Sequence, residues 1–143
     1  MLKLIWIITV LFVQDSNWNV NKDGVVADGY DVISYFDGTP KEGKPQFSST
    51  YDGATFYFHD AASQKKFEET PGKYAPQYGG WCAYAMGDTG EKVVVNPKTF
   101  KITDGKLYLF YDRFGTNTLK PWEKDEKNLI KKSEINWQTR YQH

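Results

Sequence analysis

The run Tyr78-Gly79-Gly80-Trp81-Cys82-Ala83-Tyr84-Ala85-Met86 sets the chain's only cysteine beside two glycines and among three large aromatics. Gly79 and Gly80 carry no Cβ and tolerate positive φ, so the chain can turn tightly there and a ligand can approach closely. Residues from Trp81 to about Gly87 read as a short helix, which sets Cys82 and Met86 at i and i+4 on one face. Two sulfur donors on one face suit a thiophilic ion such as Cu(I). His59, the one histidine away from the C-terminus, adds an imidazole donor. The competing packing reading makes Cys82 a small buried hydrophobe and Met86 a filler of core gaps.

Two other chemistries use the same residues. Tyr30, Asp31, Tyr35, Tyr78, Trp81 and Tyr84 can line an aromatic pocket for a small organic guest, with Cys82 as wall and a few polar tips orienting the ligand. Alternatively, Cys82 serves as nucleophile and His59 as its base, which requires the two within hydrogen-bond reach and is not imposed by their spacing. A purely structural or interaction module stands beside these readings. Asp31, set among Tyr30, Ile33 and Tyr35, reads either as a buried carboxylate or as the cap of a short helix starting at Val32.

Composition narrows the classes. A length of 143 residues suits one domain with a core of its own. Eighteen basic residues balance 18 acidic ones and the two are interspersed, so no nucleic-acid footprint is visible. Aromatics make up 17% against two methionines, so Phe, Tyr and Trp must supply much of the core. One cysteine excludes an intramolecular disulfide. Two histidines are too few for a multi-histidine centre, and tetrahedral zinc asks for more Cys or His than the chain holds. No phosphate loop, zinc spacing or Ser/His/Asp order is present.

The elements that must position these residues follow from pattern. Residues 1–16 read as an export signal: Lys3, then the apolar run 4–13, then an abrupt polar shift at Gln14. That run is shorter than the ~20 residues a bilayer span needs, so no membrane span remains after cleavage, and the expected location is periplasmic or secreted. Residues 17–138 form the single domain, and 139–143 a disordered tail. Residues 39–45 read as a loop, and the β-prone runs 47–51 and 54–58 flank Asp52-Gly53, the signature of a type I′ hairpin. Phe56 and Phe58 then share one face, with Thr55 and Tyr57 on the other. Asp60 caps a helix over 60–69. Val93 to Val95 reads as a strand ending at Asn96-Pro97. A second hairpin, 99–103 and 106–111, turns at Asp104-Gly105, with Phe100 and Ile102 facing Leu107, Leu109 and Tyr111. A last helix covers about 120–133, with Trp122, Leu129, Ile130 and Trp137 as its apolar stripe and its lysines on a solvated face. The fold class is therefore α+β: a small antiparallel sheet built on two Asp-Gly hairpins, packed with short helices and a C-terminal helix.

Several runs together resemble the exported bacterial YHS-domain-containing proteins. They are Gly29-Tyr30-Asp31-Val32 with Ser34-Tyr35-Phe36, the hairpin 47–58, the run 67–74, Ala75-Pro76-Gln77-Tyr78-Gly79-Gly80-Trp81-Cys82-Ala83-Tyr84-Ala85, and Asp104-Gly105-Lys106-Leu107-Tyr108-Leu109. The resemblance covers residues 24–137 and is most specific in the Gln-Tyr-Gly-Gly-aromatic-Cys-Ala run. It implies a small exported α+β domain with no assigned activity. Related short modules handle heavy metals through cysteines whose positions here hold Ser34, His59 and Ser63, so that dithiol chemistry does not carry over. The expected function is an exported binding module whose partner is a metal ion, with copper at Cys82, or a small organic molecule.

Overall fold

Two Asp-Gly turns organise the strands. Asp52-Gly53 (φ 48° and 77°) and Asp104-Gly105 (φ 51° and 73°) have positive φ at both central residues, as a type I′ turn requires. In the computed structural model, which describes residues 3–7 and 16–142, the first turn joins β1 (Lys44–Tyr51) to β2 (Ala54–Phe58). The second joins β3 (Asn96–Thr103) to β4 (Lys106–Phe110). A third antiparallel pair, β5 (Asp112–Arg113) and β6 (Thr116–Asn117), turns at Phe114-Gly115, again with positive φ at both residues. Most of the expected signal, 1–16, lies outside the described residues; of that run, Leu4, Ile5, Trp6 and Ile7 are described and are exposed.

The helices follow α+β order. Asp60 caps α1 (Ala61–Glu69), accepting from the Ser63 backbone N–H at 2.8 Å. After a single turn, α2 (Pro71–Tyr74), the chain passes through a 3₁₀ turn at Gln77–Gly80 into α3 (Ala83–Asp88). The chain closes with α4 (Leu119–Lys124) and α5 (Glu126–Tyr141). No helix among the described residues is long and apolar enough to cross a membrane.

β4 lies between two apolar clusters. Leu107 and Leu109 enter the first, with Tyr35, Phe56, Phe58, Phe67 and Cys82. Tyr108 and Phe110, pointing the other way, enter the second with Tyr78, Met86, Trp122 and Trp137. Burying both faces of one strand is why Leu107 to Phe110 reads as a continuous apolar run. Leu129, Ser133 and Trp137 of α5, spaced by four, are its buried positions. Ser133 Oγ donates to Ala83 O at 3.0 Å and Asn136 Nδ2 to Met86 O at 2.8 Å, clamping α5 onto α3. Gly87 permits this approach, since a Cβ there would lie 2.7 Å from Ser133 Oγ and 3.0 Å from Leu129 O.

Several expectations need correction. The hairpins do not share one sheet: among the described residues the strands form three separate two-stranded sheets. β1 starts at Lys44, inside the expected 39–45 loop, and its register shifts between Lys44 and Ser48. Residues 93–95 form no strand; Asn96-Pro97 starts β3 instead of ending one, because Asn96 pairs with Phe110 before the register shifts. The helix expected over 120–133 breaks at Asp125, whose backbone leaves the helical region (φ −146°, ψ 36°). Of the segment 139–143, expected to be disordered, residues 139–141 continue α5, with the Tyr141 hydroxyl donating to Gly90 O at 2.7 Å, and His143 lies outside the described residues.

Candidate functional site

The Tyr78-Gly79-Gly80 run makes an unusual turn. Tyr78 (φ 57°, ψ 41°), Gly79 (φ 60°) and Gly80 (φ 82°) are three successive left-handed residues. An aromatic residue in this region is strained, and such strain gathers at ligand sites because the surroundings must enforce it. The enforcement is visible: Asn19 N donates to Gly79 O at 2.8 Å, Asn19 Nδ2 to Gly80 O at 3.1 Å and Trp81 Nε1 to Asn17 O at 2.7 Å. A Cβ on Gly79 would sit 2.6 Å from Asn17 O and 3.2 Å from the Trp137 ring, so only glycine fits.

This turn forms part of the wall of a groove of about 730 Å³. Tyr78 and Trp137, both mostly buried, form its floor, with ring centroids 6.3 Å apart. Trp18, Tyr51 and Tyr141 are half-buried walls, the last packed on Trp137 at 5.2 Å. Asp52 of the first hairpin turn and Glu134 of α5 add the charge. The Tyr78 hydroxyl donates to Glu134 Oε1 at 3.3 Å. Burial, and then the Glu134 charge, hold the Tyr78 phenol well above the ordinary tyrosine value, so it stays a neutral donor.

The three expected metal ligands are not gathered. Cys82 is the cap residue before α3 (φ −55°, ψ 117°), so it lies outside the helix whose face it was expected to share with Met86. Its fully buried Sγ accepts from the Tyr111 N–H at 3.3 Å and contacts Thr118 Oγ1 at 3.4 Å. Met86 is also fully buried, in the second cluster, whereas Cys82 is in the first. Among the described residues no group of three or more His, Cys, Asp or Glu is arranged to hold a metal ion. His59 and Cys82 share no hydrogen bond, and each has other partners, so the nucleophile–base pairing has no geometric support.

His59 is held elsewhere. The Asp31 carboxylate, fully buried, accepts from Ile33 N at 2.9 Å, from His59 N at 3.2 Å and bonds His59 Nδ1. Ser63 Oγ lies 3.3 Å from the same nitrogen, and Asp60 Oδ2 lies 3.1 Å from Nε2. The Ser63 N–H, and to a lesser extent the His59 charge, hold the Asp60 carboxyl below its usual range. This network pins the end of β2 to the turn at Ser34–Asp37. Asp31 is thus a buried carboxylate, but the helix expected from Val32 starts at Ser34 with Ile33 as its cap residue, and Asp31 instead closes a local turn by accepting from Ile33 N.

Nor do the six expected pocket residues line one pocket. Tyr30 and Tyr35 pack in the first cluster near Asp31, with the Tyr35 hydroxyl donating to Pro97 O. Trp81 packs against the second cluster and carries Lys92 Nζ 5.7 Å above its ring. Tyr84 is half-buried against both clusters. Only Tyr78 reaches the groove. Sequence reasoning missed Trp18, Tyr51, Glu134 and Tyr141, and took Trp137 for a helix anchor alone. The spacing of four from Trp137 to Tyr141 was a usable signal; nothing local marks Trp18 or Tyr51. No protein-family model, no curated protein and no solved structure matches the chain.

Proposed function

We propose that the chain is an exported binding module of the YHS type whose site is the aromatic groove, and that its ligand is a small organic molecule. The observation that carries this is the convergence of five aromatic rings, from Trp18, Tyr51, Tyr78, Trp137 and Tyr141, on an open groove at a turn of left-handed residues. Flat rings with polar tips give apolar contact and orientation together, which suits organic guests. The family reading is supported by a convergence of its own. Ser34, His59 and Ser63, which stand at the cysteine positions of the related short modules, all contact Asp31 or its His59 partner.

The test is to titrate a panel of small amines, amino acids, sugars and phenols into the protein while following the indole N–H resonances. At least one compound is expected to give saturable shifts at Trp18 and Trp137 and none at the fully buried Trp122. Loss of those shifts in Trp137→Leu would complete the case, whereas a panel that moves neither indole removes the groove reading. Export is tested separately by N-terminal sequencing of fractionated cells. The expected mature start lies between Gln14 and Asn21, and intact Met1 in the cytosolic fraction would overturn it.

A further inference from the structure

We infer that the groove selects an organic cation, an alkylammonium head seated among the rings; this rests on the groove being the ligand site. The argument is one of donors and acceptors. Four groove donors are already committed inside the protein: Asn17 Nδ2 to Tyr141 O at 2.6 Å, Trp18 Nε1 to Asp52 O at 3.1 Å, the Tyr78 hydroxyl to Glu134 at 3.3 Å and the Tyr141 hydroxyl to Gly90 O at 2.7 Å. The charged groups of the lining are the carboxylates of Asp52 and Glu134, while Gln77, Gln142 and the Tyr51 hydroxyl add neutral groups that can donate or accept. No lysine, arginine or histidine is among the lining residues. An anion would meet two negative charges with no lining cation to offset them, and a neutral guest would leave both carboxylates without a counter-charge.

A cation meets complementary surfaces on both counts. Ring faces carry the negative end of the aromatic quadrupole, and an ammonium within about 6 Å of a centroid is attracted to it. The protein already uses this contact beside the groove: Lys92 Nζ lies 4.5 Å from the Tyr141 centroid, steadied by Asn17 Oδ1 at 3.0 Å. Trp137 and Tyr78 at the floor and Trp18 and Tyr51 at the walls line the groove beside that contact, so further rings border the space a guest would fill. Glu134 lies at the floor beside Tyr78, and Asp52 at the exposed rim, so the head would sit deep with its tail directed outward.

The experiment compares choline, its neutral carbon isostere dimethylbutanol, and glucose, each titrated into the full chain and followed at the Trp18 and Trp137 indoles. Choline is expected to bind saturably and about tenfold more tightly than the isostere. Glu134→Gln, which keeps an acceptor for the Tyr78 hydroxyl, is expected to erase most of that preference while leaving the melting temperature near wild type. Should this variant fail to fold, Asp52→Asn serves instead, because asparagine tolerates the left-handed turn position, and it is expected to weaken choline several-fold without affecting the isostere. Equal binding of choline and isostere, or saturable binding of glucose without choline, overturns the cation assignment and leaves the groove reading in place. If none of the three probes and no compound of the wider panel moves either indole, both fall together.

Discussion

Tyr78 and Glu134 meet at the floor of the groove, the phenol donating to Oε1 at 3.3 Å. The contact joins the left-handed turn at Gln77–Gly80 to α5 across more than fifty residues of sequence. It keeps a buried phenol beside a carboxylate, an arrangement that is stable only while the phenol is protonated.

That dependence gives a pH prediction. Burial first, then nearby carboxylates, push the Tyr108 phenol up to about 12, and the Tyr35 and Tyr78 phenols are pushed in the same direction. These groups stay protonated in the folded chain while their unfolded counterparts ionise near the ordinary value of 10.0. Stability from this source is therefore complete below about pH 10 and is lost as pH rises from there through about 12. A spectrophotometric phenolate titration should show these three tyrosines ionising together with unfolding. Their smooth ionisation in a chain that keeps its native circular dichroism would contradict the burial.

Cys82 is expected to behave as a packed acceptor. Its sulfur receives the Tyr111 N–H, so Cys82→Ser keeps an acceptor, whereas Cys82→Val abandons the amide and should cost about 2 kcal/mol in denaturant unfolding. The folded thiol should resist a thiol-specific reagent and react only as the protein unfolds. Rapid labelling of native protein would show that the sulfur is reachable after all, and would reopen the soft-metal reading.

Two glycine-to-alanine changes should cost stability for opposite reasons. Gly105 sits at φ +73° with open space around a Cβ, so Gly105→Ala costs about 1 kcal/mol through backbone strain alone. Gly87 has no positive φ, and alanine would favour its helix by up to about 1 kcal/mol, but the Cβ would press on Ser133 Oγ and Leu129 O. Overpacking of this kind costs about 1–3 kcal/mol, so the net effect is destabilising. Pairing Gly87→Ala with Ser133→Ala should recover much of the loss; an unrelieved defect in the double variant would place its cause elsewhere.

Asp31 should matter far more than an ordinary surface aspartate. Asp31→Ala strands the Ile33 and His59 amides and the His59 ring, for a cost of about 3 kcal/mol. His59→Ala leaves the buried carboxylate with its two amides and, because His59 is partly exposed, should cost about 2 kcal/mol. Thermal melts of both single variants and the double variant would measure the coupling. Additive losses would mean that the ring and the carboxylate act independently.

Local chemistry by itself determined the turns and the elements they join. Asp52-Gly53 and Asp104-Gly105 accept positive φ because of what those two residue types are, and Asp60 caps α1 because its side chain reaches the Ser63 amide. These are effects within a few bonds, so they survive any arrangement of the rest. The site was legible only in part. The Tyr78-Gly79-Gly80 run was visible as a place for close approach, yet the adjacent thiol turned inward, because Cys82 precedes its helix instead of riding on it. Tertiary structure alone decided the groove. Trp18, Tyr51, Tyr78 and the α5 pair Trp137 and Tyr141 come from four separate stretches of sequence, and they meet because β4 buries both of its faces while α5 closes over α3. Residue pattern reports which face of an element is apolar; which distant face it meets is set by packing the whole chain at once.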